Sequence, residues 1–276
     1  MIAENLLIRQ DNPHNDLSDM TTRANRAAKP DRPASGLNAG KADRLLDEAG
    51  KEPTLAGRID AISARLIGHP YDANPLGGGP DSSETLTISL EGFDCVTYME
   101  TVLGLAHARN VEEFVEAVRR MRYERGIIDW FHRNHYMIDW AEKNEKQGLI
   151  RNITARPGSV RKSRKLTVVK GLPEKSADFA CIPKRCVNRV SARIETGDMI
   201  LFVSAKKNLD VFHTGFAVRR GDDLFLRHAT RSKGEVVEQK LSEFLNSNRM
   251  SGIILLRPIG EKRQSNHGKT DRCIGK

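Results

Sequence analysis

Of the four cysteines, at positions 95, 181, 186 and 273, one sits where a thiol can become a nucleophile. In "EGFDCVTYMET" (91–101), Asp94 is a good helix N-cap, which puts Cys95 at the first helical position. There the unpaired backbone N–H groups and the helix dipole favour an anion, lowering a thiol pKa and offering donors to a developing oxyanion. Asp94 works the other way, because its own charge disfavours a thiolate beside it. A catalytic Cys95 therefore needs a histidine to share its proton. The competing reading is a small buried thiol filling a core.

The run "VFHTGFAV" (211–218) offers that histidine. At a period of two, Phe212, Phe216 and Val218 share one face, while His213, Gly215 and Ala217 share the other. Small residues beside His213 suit a strand that a helix must approach closely enough to meet the imidazole. The following run, "DLFLRHAT" (223–230), carries His228 at its end. A polar group there can accept a hydrogen bond from the first imidazole and set its tautomer. Each of these three residues alone is unremarkable; their combination is more specific, and it suits acyl transfer through sulfur.

The elements that must hold them can be read from periodicity. "PTLAGRIDAISARLIG" (53–68) predicts a helix capped by Thr54, with Leu55, Ile59, Ile62 and Leu66 on one face and Gly68 ending it. A loop rich in Gly, Pro and Asp follows (69–84). After Cys95, Met99, Val102, Leu103 and Ala106 continue a buried helical face. "NVEEFVEAVRRMRY" (110–123), with Asn110 and Glu113 as a cap-like pair, predicts a second helix, and "IIDWFHRNHYMIDWAEKNEKQG" (127–148) a third that closes near Gly148. Residues from there to about 195 read as irregular and basic. The period then turns to two in "GDMILFVS", "VFHTGFAVRR", "DLFLRHAT" and "SGIILLRPI", with "RRGDD" as a hairpin turn. Helices first and antiparallel strands last make an α+β domain over 51–260. Residues 1–50 read as a polar, disordered tail and 261–276 as a second tail.

Bulk properties exclude several classes. A chain of 276 residues with 29% charged and 5% aromatic residues can bury one sizeable core. It has no apolar run long enough to span a membrane. Its start lacks the layout of a secretory signal, so the expected location is cytoplasmic, or outside by a dedicated non-classical route. The cysteines are too sparse for a disulfide scaffold; Cys181 and Cys186 in "CIPKRC" lack a second pair at zinc-site spacing and read as ordinary thiols. Much of the net charge of +9 lies between Arg151 and Arg193, opposed there only by Glu174 and Asp178. That basic stretch (156–193) could bind a polyanion without catalysis, such as cell wall. No aromatic interleaving, helix-turn-helix or zinc-finger pattern accompanies it, which argues against nucleic acid.

Several stretches together resemble a known family. "GHPYDANPL", "FDCVTYMETVLGLA", "RYERGIIDWFHRNHYMIDW", "IPK" (182–184), "TGDMILFV" and "LDVFHTGFAV" look like the NlpC-type cysteine peptidases of bacterial cell walls. More closely, they resemble the family described as N-acetylmuramoyl-L-alanine amidase-like, over about residues 54–259. The resemblance implies a papain-like α+β fold with the nucleophile helix packed on an antiparallel sheet. It implies a cysteine amidase acting on peptidoglycan fragments, with Cys95 as nucleophile, His213 as base and His228 as the orienting residue, and no cofactor. A stem-peptide endopeptidase or an acyltransferase would use the same residues. Tyr71 matches a tyrosine near the oxyanion site, and "RxHYxxDW" suggests a cleft wall in which Arg133 and His135 meet substrate, Arg133 by pairing with a carboxylate. His132, His135 and Asp139 would share one face of a continuous helix and could hold a metal, but a polar helix face above Trp130, Tyr136 and Trp140 is the favoured reading, and no metal is expected. His14, His69, His107 and His267 read as surface or loop residues and Cys273 as a tail thiol. Substrate aside, no partner is implied, and the oligomeric state is open.

Overall fold

The computed structural model describes residues 34–260; the calls on 1–33 and 261–276, with Cys273, His14 and His267, lie outside the described residues. Seven helices are present among them: α1 (Ala39–Gly50), α2 (Leu55–Arg65), α3 (Cys95–His107), α4 (Val111–Arg122), α5 (Met137–Lys146), a four-residue α6 (Val187–Val190) and α7 (Leu241–Ser247). Eight strands form one antiparallel sheet: β1 (Ile150–Asn152), β2 (Val160–Leu166), β3 (Lys175–Pro183), β4 (Met199–Ser204), β5 (Val211–Arg220), β6 (Asp223–Thr230), β7 (Glu235–Lys240) and β8 (Met250–Pro258). Their order is β2-β3-β8-β4-β5-β6-β7, with β1 also paired to β8. The α+β expectation holds. No helix among the described residues is long and apolar enough to cross a membrane.

The sheet carries a core on each face, because successive strand residues alternate sides. Leu201, Val203, Phe216, Ile254 and Leu256 join the core built with α1 to α5. Ile200, Phe202, Ala217, Leu226, Ile253 and Leu255 join the other, closed by Val187 of α6 and by Leu241, Phe244 and Leu245 of α7.

The helix caps follow the sequence. Thr54 accepts the Gly57 N–H at 3.0 Å and Asn110 the Glu113 N–H at 2.8 Å. Gly68 closes α2 at φ +84°, a left-handed conformation that costs glycine little. Helix α3 departs from the one-sided pattern expected of it, since every residue from Thr97 to Ala106 is buried, Glu100 included. The charge is accommodated because Glu100 Oε2 accepts Arg122 Nε at 2.7 Å and Oε1 accepts the Trp140 indole N–H at 3.1 Å. Both members of the ion pair are almost wholly buried.

Three expectations are corrected. The tail ends earlier than residue 50, because α1 packs Ala42, Leu46 and Ala49 against the core behind an Asn38 cap. Alanines supply two of those three contacts, a weak signal in a polar stretch. The basic middle is not irregular: β2 and β3 form a hairpin, paired from Val160↔Cys181 to Leu166↔Lys175. Its alternation is masked because β2 lies at the sheet edge, where Arg161, Ser163 and Lys165 are exposed. The third helix begins only at Met137, since Asp129 caps a tight turn at Trp130–His132 and Arg133 and Tyr136 are extended.

Removing one member of a buried ion pair strands the other. Glu100→Ala is expected to lower unfolding stability by about 3–5 kcal/mol, read from the shift in urea midpoint against the unchanged chain.

Candidate active site

Cys95 is placed by a capping box. The Asp94 carboxylate accepts the backbone N–H of Val96 at 3.0 Å and of Thr97 at 2.7 Å, while the Thr97 hydroxyl accepts the Asp94 N–H at 3.0 Å. The helix therefore starts at Cys95, as the sequence predicts. The backbone of Thr214 and of Cys95 itself lowers the thiol pKa, and Cys95 lines one cavity with Thr214 and His213. Burial nevertheless pushes the thiol up to about 12, with the Asp94 charge as the second cause. Sequence reasoning named the Asp94 effect; the larger one, desolvation, depends on what covers the site. Cys95 is 5% exposed.

His213 and His228 meet as expected. His213 Nε2 and His228 Nδ1 lie 2.5 Å apart, and the rings cross at 83°. Both are buried. His213 is held well below the usual imidazole range by burial and by His228, and His228 is lowered to about 4 by burial. Two neutral imidazoles can share one proton. With His213 Nε2–H donating to His228 Nδ1, His213 Nδ1 keeps a lone pair free to act as base. Gly215 makes the approach possible. A Cβ there would stand 2.6 Å from the Arg227 carbonyl oxygen and 2.9 Å from His228 Cβ, so any larger residue would drive β6 away.

The face assignment needs correction. Helix α3 meets the Phe216 side of β5, through Tyr98 against Phe216 and the Thr214 hydroxyl donating to Met99 sulfur at 3.3 Å. His213 instead stacks on Phe244 of α7, with centroids 5.2 Å apart, and lies over Phe202. The small-residue face thus accommodates β6 and α7 rather than α3. A register shift between Phe202 and Val203 falls at Phe212 and turns it toward Phe202, onto the His213 side.

One cavity is lined by Cys95, His213, Thr214, His135 and Asp210, with Val168 and Val169 among its apolar walls. Its free volume is about 20 Å³, room for about one water. Asp210 ties the walls together: it accepts the Ile138 N–H at 2.9 Å, capping α5 from the strand that carries His213. Burial raises its carboxyl to about 6. No sequence signal singled it out.

The remaining predicted residues divide. Tyr71 is brought to the site, because its N–H binds Gly234 O at 2.7 Å and residues 70–72 pair with Phe93, leaving its hydroxyl raised by burial and by the neighbouring Cys95 and Asp94. His135 lines the cavity, donating Nε2–H to Trp130 O at 2.7 Å. Arg133 is directed elsewhere: it donates to Gly77 O at 3.1 Å and pairs with Glu84 at 3.3 Å, pinning the loop that precedes α3. His132, His135 and Asp139 share no helical face, since the chain is not helical at 133–136; Asp139 pairs with Lys175. His107 is half-buried, and burial lowers it to about 4. His69 is half-buried against Phe93. Cys181 is a buried free thiol and Cys186 a half-buried one.

Residues 61–253 match the family model described as N-acetylmuramoyl-L-alanine amidase-like. No protein of curated function matches the chain. Among solved structures, a Legionella pneumophila protein is similar at a TM-score of 0.73 and 25% identity, over 81% of this chain and 95% of its own. A Bacteroides fragilis protein named as a candidate xylanase is similar at 0.62 and 27%, over 71% and 98%. An N-acetylmuramoyl-L-alanine amidase from Bacteroides uniformis shares the fold at 0.60 and 22%, over 71% and 96%.

His135 is lowered to about 4, chiefly by burial. A base whose folded pKa is depressed binds fewer protons than in the unfolded chain, so its contribution to stability is lost as pH falls from about 6.5 toward 4. His135→Gln removes that loss. Urea melts should show the variant gaining on the unchanged chain by about 1.5 kcal/mol between pH 6.5 and 5.

Proposed function

The chain belongs to the N-acetylmuramoyl-L-alanine amidase-like family, and from that membership we propose that it is a cysteine amidase acting on peptidoglycan fragments at the N-acetylmuramoyl-L-alanine bond. The observation that carries this reading is the His213–His228 contact at a cavity that Cys95 also lines. In the reaction, His213 Nδ1 takes the Cys95 proton and the thiolate attacks the lactyl amide carbonyl. The oxyanion is met by the Cys95 backbone N–H at the first turn of α3, with the Tyr71 hydroxyl as a second donor. His213 returns the proton to the alanine nitrogen as the C–N bond breaks. Water, deprotonated by His213, then cleaves the thioester, releasing the muramoyl carboxylate and restoring the thiol. His228 keeps the base in its working tautomer throughout.

Sugar-bond cleavage fits the site less well. Glycosidases need two carboxyl groups flanking the bond, whereas Asp94 and Asp210 of the cavity both spend oxygens on backbone N–H groups. Stem-peptide cleavage would use the same sulfur and imidazole, and the products separate the two reactions.

Cys95→Ala is expected to lower turnover of defined muropeptides by about 10³-fold or more with the fold intact. Mass spectrometry should find the whole stem peptide freed from the sugar by the unchanged chain. Retained turnover in the variant would refute the cysteine mechanism, and release of shorter peptides would move the reaction to the stem.

The pH profile follows from the resting charges. His213 is depressed well below 6.5 and Cys95 is raised to about 12, so neither changes charge near neutrality. The base is lost only on the acid side. The ratio kcat/KM should stay constant within about twofold from pH 6.5 to 9, where an ion-paired thiolate would give a limb near neutrality.

A further inference from the structure

An attacking sulfur must come within about 3.5 Å of the carbonyl carbon, yet Cys95 is 5% exposed and the cavity above it holds about 20 Å³. No muropeptide enters such a space, so one wall has to move. Three walls are anchored. The N-terminus of α3 stands in the core, β5 is paired to β4, and the 135–137 segment is tied to Asp210 by the Ile138 N–H. The fourth, Val168 and Val169, belongs to the 167–174 connection between β2 and β3. Its support is slight. β2 pairs only with β3, and β3 joins the rest of the sheet at just two positions, Ile182↔Ile253 and Pro183↔Gly252.

Apolar packing seats the connection, with Leu166 and Val169 buried in the core and Val168 and Leu172 against it, while its hydrogen bonds are few. The Thr167 N–H reaches Asn208 O at 3.2 Å, and the Val169 N–H reaches the Tyr136 hydroxyl at 3.3 Å, both long for such bonds. Lys175 pairs with Asp139 at the base of the tip. Gly171, at φ +91°, lies where a Cβ would stand 2.9 Å from Pro80 and 3.2 Å from Trp130, so the tip fits flush against the cleft wall. Only its hydrogen bonds, few and long, mark it as a segment that local opening can draw on.

We propose that the tip of the β2–β3 hairpin, residues 167–174, is a lid over the nucleophile, and that Val168 and Val169 decide what reaches Cys95. Closed, the two valines keep the thiol dry; lifted about the two-residue attachment at Ile182 and Pro183, the hairpin opens the cleft along the wall made by His135 and Tyr136. The inference rests on Cys95 being the nucleophile, but its test does not require turnover.

Iodoacetamide labelling of the intact chain, followed by peptide mass mapping, reads access to each thiol. The double variant Val168→Gly, Val169→Gly is expected to label Cys95 about tenfold faster than the unchanged chain, with Cys186 unaffected. Tyr136→Phe, which removes only the hydroxyl that accepts the Val169 N–H, should raise the Cys95 rate about two- to threefold. Equal Cys95 rates in all three proteins would overturn the lid. So would a parallel rise at Cys186, which would mean a general loosening of the fold. A chain that cleaves no muropeptide would still report on the lid by this measure, so the two readings fail separately.

Discussion

The capping box at Asp94 and Thr97 is the contact on which the site depends. It starts α3 at Cys95 rather than a residue to either side, and so presents the sulfur to the backbone of β5 at Thr214. The same carboxylate that fixes this position also disfavours a charge on the neighbouring sulfur. Positioning and activation pull in opposite directions, and the proposed mechanism resolves them with a neutral base, His213, instead of a preformed ion pair. That base is held by aromatic packing: Phe244 lies against both imidazoles at 5.2 Å, one ring stacked and the other edge-on. An element as short as α7 therefore has a direct hold on the proton-sharing pair.

Much of this was legible in the sequence. The helix at Cys95, the caps at Thr54 and Asn110, the four strands with sharp alternation, and the meeting of His213 with His228 all rest on local rules of period and capping. What was not legible depended on partners distant in the chain. Asp210 caps α5 across 72 residues, and a carboxylate in "NLDVF" looks like any loop aspartate. Arg227, which no local pattern marks, is buried between Asp60, Ser63 and Glu238 and binds α2 to β6.

Two further failures have the same origin. The continuous helix expected at 127–148 satisfies helical spacing throughout, but Asp129 and Asp210 each offer the backbone a better start, at Phe131 and at Ile138. Periodicity cannot rank competing caps. On β5, alternation correctly separated His213 from Phe216, but which face meets α3 is a property of the assembled layers. Gly215, taken as room for a helix, is room for a strand.

The covered, uncharged state of Cys95 also bears on how the sulfur survives between encounters. Peroxides attack thiolates that they can reach, and the resulting sulfenic acid is the first step toward irreversible oxidation. A thiol raised to about 12 in a space for about one water satisfies neither condition. On the proposed mechanism the attacking atom is thus covered at rest, and among the described thiols Cys186, half-buried and outside the cavity, is the one more open to oxidation.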